Sequence, residues 1–209
     1  MDVLLSQQTE IARIQGVLPG VIKTLLGAHH MDHYLGNGKD GFVFKMHNPA
    51  DPADKSFDRY AIKMWEKGFC FRRKEVDLQQ EAFLAQSRVF RTPQVILADP
   101  KSDFFVMDRV MGESVYQAVF LSKRLISASL FEAMCSAFDS LNRSGIRHGD
   151  AHPGNYMLTD LQLVDTPAGK VIDDADLWII DFGRAAHGHG NDSSVIRRDL
   201  KNKIALETP

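Results

Sequence analysis

Apolar positions change spacing along the chain, and the changes mark its elements. Residues 3 to 28 carry Leu4, Leu5, Ile11, Ile14, Leu18, Val21, Ile22 and Leu25 at loose helical intervals. Pro19-Gly20 interrupts them, so two short helices are predicted. From residue 34 to 64 the pattern shortens to runs such as Phe42-Val43-Phe44 and Tyr60-Ala61-Ile62, which predict strands. The polar stretch 48–55 between them is rich in Asn, Asp and Pro and reads as a loop. Helical spacing returns over 74–90 through Val76, Leu78, Phe83, Leu84 and Phe90, and two strand-like runs come next, Gln94 to Leu97 and Phe104 to Met107.

The strongest helix covers roughly 129–142, where Leu130, Met134, Phe138 and Leu141 fall on one face. Ser129 with Glu132 fits a capping box at its start. A polar loop at 147–155, strands near 156–158 and 177–180, and a final helix at 193–206 complete the series. Sheet-rich chain followed by helix-rich chain predicts an α+β fold of two lobes.

Composition removes several alternatives. The chain has 209 residues, 44% of them hydrophobic, and a net charge of −2. That suits a packed domain and gives no electrostatic footprint for nucleic acid. Two distant cysteines, Cys70 and Cys135, make neither a disulfide framework nor a metal cluster, so a reducing compartment is expected. No secretory signal or membrane-length apolar run is present, so a cytoplasmic protein without membrane contact is expected.

Four segments carry chemistry. Gly36-Asn37-Gly38-Lys39-Asp40-Gly41-Phe42-Val43 is a glycine-rich turn between strand candidates, a type that lets backbone approach phosphate oxygens. Lys63 ends the next apolar strand, where a phosphate-gripping cation is expected. It needs an acidic partner, and Glu81 on the following helix is the first candidate, with Glu75 the alternative. Arg147-His148-Gly149-Asp150-Ala151-His152-Pro153-Gly154-Asn155 sets a carboxylate and a carboxamide five residues apart, which suits hydroxyl orientation and Mg²⁺ ligation. Asp181-Phe182-Gly183 closes a further apolar strand with a second carboxylate for metal.

From Leu35 to Gly183 these segments, in this order, resemble the protein-kinase-like superfamily. The resemblance implies one minimal catalytic domain: a helical extension over 1–30, a β-rich first lobe over 31–110 and a truncated helical second lobe over 111–209. It implies ATP and Mg²⁺ or Mn²⁺ as cofactors. Gly36, Gly38 and Gly41 would cover the phosphates, and Lys63, paired with Glu81, would contact the α- and β-phosphates. Asp150 would be the catalytic base, and Asn155 and Asp181 would hold the metal. Met107 would guard the adenine pocket. Backbone from Asp108 to Val110 would hydrogen-bond the base, and Val43, Ala61 and Met157 would pack on it.

The chain departs from ordinary protein kinases at several places. Gly149 stands where many carry an arginine that pairs with a phosphorylated activation loop, which implies activity without that switch. His152 stands where lysine is usual; it either touches the γ-phosphate or braces the loop. Only 26 residues follow Gly183, with His187-Gly-His-Gly190 in place of most of the activation segment. The closing Arg197-Arg198-Asp199-Leu200 resembles the last helix of Bud-type and RIO-type atypical kinases, and Asp199 is expected to hydrogen-bond the backbone near His148. Five aspartates, 160, 165, 173, 174 and 176, form an acidic insertion that reads as a surface loop or a docking surface for a basic partner.

The function expected is serine/threonine protein kinase, with a protein substrate and, as a further partner, a regulatory or host protein. Compact kinase effectors that some bacteria inject into host cells are of similar size, so delivery into a host cytoplasm is the alternative location. A small-molecule phosphotransferase, favoured by the His-Gly-Asp-x-His-x-x-Asn pattern, and a nucleotide-binding pseudokinase are the competing functions.

Overall fold

Residues 2 to 25 form one helix, α1 (Asp2–Leu25), which runs through Pro19 without ending. The break expected at Pro19-Gly20 is absent, and packing explains why. Ile14, Leu18, Val21 and Leu25, on one stripe spanning the proline, are all buried. Each contributes about 1.5–3 kcal/mol on burial, together more than the ~3 kcal/mol that an interior proline costs a helix. Gly20 is needed for a different reason: a Cβ there would come within 2.5 Å of the Pro49 ring.

The computed structural model describes residues 2–25, 33–38, 41–65, 72–98 and 103–205. They divide into two compact units, Met1–Arg72 with Gln94–Arg109, and Arg73–Pro93 with Val110–Pro209.

The first unit holds a five-stranded antiparallel sheet of β1 (Tyr34–Gly38), β2 (Gly41–Lys45), β3 (Tyr60–Trp65), β4 (Val95–Ala98) and β5 (Phe104–Asp108), in the order β1-β2-β3-β5-β4. Register sorts its side chains into two faces. Phe44 lies opposite Ile62, and Ile62 opposite Val106; these three are buried in a core with the α1 stripe. Side-chain alternation puts Val43, Lys63 and Phe105, which are also register partners, on the other face with Ala61 and Met107. One face of the sheet is therefore taken by α1, and the other carries the residues with predicted chemistry. A polar cluster seals α1 to the sheet. Arg13 donates to Glu10 at 2.7 Å and Tyr60 donates to it at 2.5 Å, with Arg59 at 3.1 Å. Burial alone would raise the Glu10 pKa, but these donors outweigh it and hold the carboxyl down to about 2.

The second unit begins with α2 (Arg72–Ala85), which stops five residues short of the predicted end; Phe90 is buried in a small bridge to Ser87, and Leu84 faces solvent. There follow β6 (Glu113–Ser114), a π-helical turn over 116–121, β7 (Leu125–Ile126) and α3 (Ala128–Arg143). Leu130, Met134, Phe138 and Leu141 of α3 are all buried, as their spacing requires. The cap lies two residues earlier than expected. Ser127 accepts from the Leu130 amide at 3.1 Å, while Glu132 pairs with Arg197. Beyond β8 (Ile146–Arg147), the acidic insertion is a long hairpin, β9 (Tyr156–Thr166) and β10 (Gly169–Ile179), in a sheet ordered β6-β9-β10-β7. Gly169 takes φ +118° at its turn, and Asp165 and Asp176 are paired with Lys170 and Arg91. The last elements are β11 (Ala186–His187), paired to β8, and α4 (Asp192–Leu200). α4 is shorter than predicted because residues beyond Leu200 turn back to hydrogen-bond Ile126 from Lys203 and Ala205.

Candidate functional site

Residues 148–155 are held from three directions, all within the second unit. The first is α4. The Asp192 carboxylate accepts from the amide of His148 at 2.8 Å and of Gly149 at 3.2 Å, and is itself 5% exposed. Two backbone donors on one buried carboxylate are charge-assisted bonds worth about 1.5–3 kcal/mol each. This is the contact expected of Asp199, which instead pairs with its neighbour Arg198 at 2.7 Å. Spacing along a helix misidentified the residue: the first turn of α4, not the last, meets the loop.

The second direction is the end of β10 and the residues just after it. His148 donates from Nε2 to the Ile180 carbonyl at 2.9 Å, and the Ile180 amide donates to the Asn155 carbonyl at 3.0 Å. The His148 ring lies edge-on to Phe138 and Phe182. Its burial holds the pKa below the usual value and keeps the ring neutral. The third direction is internal. The Asn155 amide nitrogen donates to the Asp150 carbonyl at 2.9 Å, and His152 Nδ1 accepts from the Gly154 amide at 3.0 Å. His152 is thus a brace through Nδ1, one of its two predicted roles.

Gly149 owes its identity to geometry. It takes φ +75°, and a Cβ there would stand 2.6 Å from the Arg184 carbonyl oxygen. Asp181 also has a positive φ, +62°, unusual for a residue other than glycine, and its carboxylate accepts from the Gly183 amide at 3.4 Å.

The donor set suits Mg²⁺. With its amide nitrogen committed to Asp150, Asn155 offers Oδ1, and Asp181 offers a carboxylate; hard oxygen donors in small number, completed by phosphate oxygens, are what this ion takes. Among the described residues no group of three or more His, Cys, Asp or Glu is arranged to hold a metal without such help.

In the first unit, Lys63 is only 3% exposed, deep in β3 between Val43 and Phe105. Gly36 and Gly38 sit in β1, with Gly38 paired to Gly41, while the tip of their turn, residues 39 and 40, lies outside the described residues. Gly41 has a structural cause, since a Cβ would reach 2.3 Å from the Met64 carbonyl. Ala61 and Met107 are direct partners across β3 and β5. The backbone contribution expected of Asp108 needs revision: its amide donates to Gln94 at 3.0 Å, and that of Arg109 to Arg59 at 2.8 Å, so Asp108 retains only its carbonyl for a base. Val110 and Met157 belong to the second unit, Met157 on β9 between Ser114 and Trp178.

The two acids offered for Lys63 differ sharply. Glu75 is 1% exposed, whereas the Glu81 side chain is open to solvent and lies 3.6 Å from His187. Two residues against the 148–155 loop escaped the sequence reading: Asp192 and Arg184, whose Nε is 3.8 Å from Asp150 Oδ2. Only Asp192 left a signal, an acid in the first turn of a helix, and such acids ordinarily need no more than the helix dipole to explain them.

The chain is 28% identical over 137 residues to CBL-interacting serine/threonine-protein kinase 16 of Arabidopsis thaliana, which is 62% of this chain and 26% of that protein. It is 26% identical over 127 residues to the probable serine/threonine-protein kinase BUD32 homolog of Archaeoglobus fulgidus, 61% of this chain and 53% of that one. It spans about a quarter and about half of these relatives. The ABC1 atypical kinase-like domain matches residues 71–203, which takes in the anchored loop, the Asp181 turn and the α4 clamp. With that match over more than half its length, the chain belongs to the ABC1 atypical kinase-like domain family.

Proposed function

We propose that this chain is an ATP-dependent serine/threonine protein kinase that works without activation-loop phosphorylation. The observation that carries the proposal is the loop from His148 to Asn155. Its catalytic-type aspartate and carboxamide are fixed by Asp192 and by bonds to residue 180, with a second carboxylate in a strained turn beside them. The relatives named as serine/threonine kinases support the choice of acceptor.

In this reading Asp150 orients a serine or threonine hydroxyl and takes its proton as the oxygen attacks the γ-phosphorus of ATP. The bond from that phosphorus to the β,γ-bridging oxygen breaks, and ADP leaves. Asn155 and Asp181 are the residues that would hold Mg²⁺, which when bound neutralises charge on the phosphates. Lys63 holds the α- and β-phosphates, and Val43, Ala61 and Met107 line the base on the same sheet face. Glu75 is buried and Glu81 is open to solvent, so loss of the Glu75 charge should be the more disruptive. Glu75→Gln should weaken ATP turnover about tenfold or more, and Glu81→Gln less than threefold. Equal effects in steady-state assays would overturn that order.

Independence from phosphorylation rests on the segment after Gly183. β11 pairs with β8, and the Gly188 amide donates to Gly145 at 2.8 Å, so protein contacts already order what a phosphate would otherwise order.

The test is transfer from γ-labelled ATP with Mg²⁺ to a cell lysate, with Asp150→Ala and Asp181→Ala as controls. Discrete labelled proteins, lost in both variants, are expected. Label confined to small molecules would make the chain a small-molecule phosphotransferase, and nucleotide binding without transfer would make it a pseudokinase.

A further inference from the structure

Among the described residues, the ion-pair neighbours of the Asp150 carboxylate meet it at Oδ2. Arg184 Nε lies 3.8 Å from Oδ2, and His152 Nε2 lies 4.0 Å from the same atom. Both distances are ion-pair or near-contact distances and not direct hydrogen bonds. His152 spends Nδ1 on the Gly154 amide, so its proton sits on Nε2 when the ring is neutral and faces Asp150.

Arg184 is fixed where it begins. Its carbonyl lies against Gly149, and the next residue, the buried Ala185, closes a turn onto the carbonyl of buried Phe182 at 3.0 Å. Its side chain, by contrast, is 43% exposed. An ion pair so open to water adds little to stability. Its consequence lies in the orientation of the group it touches. Arginine suits that role, because the guanidinium is charged at every working pH and is too weak an acid to enter the proton transfer.

We propose that Arg184 is a positioning residue for the phosphoryl-transfer reaction. It holds Asp150 by Oδ2, with His152 on the same atom, and so leaves Oδ1 to receive the acceptor hydroxyl. The proposal rests on the phosphotransferase reading. The proton passes from the hydroxyl to Asp150, and Arg184 keeps all of its own.

The purified 209-residue chain, assayed with γ-labelled ATP, Mg²⁺ and dephosphorylated casein as acceptor, tests it. Arg184→Gln should lower kcat about 10- to 100-fold with KM for ATP within about twofold. Its thermal midpoint should stay within ~2 °C of the parent. Arg184→Lys, which keeps the charge without the fork, should recover part of the loss. In an Asp150→Asn background the same Arg184→Gln change should cost nothing further, because the group it positions is already disabled.

An unchanged kcat, an effect on KM alone, or an equal loss in the Asp150→Asn background would each overturn the proposal. If the parent protein labels casein and Arg184→Gln matches it, only this inference falls. If the parent transfers phosphate to no acceptor, the phosphotransferase reading falls first and takes the inference with it.

Discussion

The two units hold their chemically important residues by different means. In the first, Lys63 is placed by strand register. Val43 and Phe105 flank it across β2 and β5, and α1 fills the other face of the sheet with aliphatic side chains. In the second, Asp150 and Asn155 lie in irregular backbone placed by hydrogen bonds to Asp192, Ile180 and each other. Hydrophobic packing is spread over many contacts and degrades by degrees. A hydrogen-bonded clamp rests on a few atoms and fails at once when its central acceptor is removed.

The largest effect should come from that acceptor. Asp192→Ala leaves the amides of His148 and Gly149 without their partner and is expected to abolish transfer, at least ~100-fold, while costing about 2–4 kcal/mol in stability. Asp192→Asn should retain part of both, and Asp199→Asn should be close to neutral. Activity assays with chemical denaturation read all three. A strong Asp199 phenotype beside a mild Asp192 one would contradict the clamp.

Leu18→Ala probes the other unit. A cavity under the sheet should cost about 2–4 kcal/mol, yet at temperatures where the protein stays folded the kcat should fall only a few-fold. Hydrogen exchange should show the loss of protection concentrated in α1 and β1 to β3. Exchange rising first in α3 would break the division into separately held regions.

Acid should find both units. Burial holds His148 below its ordinary value of 6.5, and burial, helped by the charges of His33 and Lys45, does the same for His47. An unfolded chain binds those protons below pH 6.5 and the folded chain does not, so stability should fall as pH drops from about 7.5 to 5.5. His148→Gln should flatten that slope more than His47→Gln, because His148 is wholly enclosed. A slope unchanged in His148→Gln would show that the ring is charged in the folded state. The smallest effect belongs to Arg197→Ala. It removes a bidentate but solvent-exposed pair with Glu132 at 2.8 Å and should leave the denaturation midpoint almost unchanged.

Sequence pattern located nearly every element that is amphipathic on its own terms. α3 is the clearest, since its four large apolar residues fall at helical spacing and all four are buried. It failed where tertiary contact overrode local preference. Pro19 argues for a break that the buried stripe of α1 prevents, and residues 201–205 look helical but are captured by Ile126. The motif residues stood out because a kinase-like pattern fixes both their type and their order along the chain. Their supports did not, because a carboxylate that binds backbone amides leaves no fixed spacing from the loop it serves. Asp192 and Asp199 are indistinguishable as letters, and Glu75 and Glu81 differ only in which turn of α2 is buried. The hairpin was shortened for a similar reason: its outer residues are largely exposed, so they lack the alternation that marks a half-buried strand.

The position of Asp192 also bears on synthesis. The His148 amide leaves the ribosome 44 residues ahead of the carboxylate that holds it, a delay of about 2–9 s at ordinary elongation rates. Through that interval the nascent chain has its motif but lacks the clamp that shapes it, so His148 and Gly149 gain their carboxylate anchor only when α4 docks. The order of the loop therefore waits on translation of the first turn of that helix. A message truncated before residue 192 would yield a product with the full kinase-like signature whose 148–155 loop keeps its bonds to residue 180 and its internal bonds but lacks the α4 anchor.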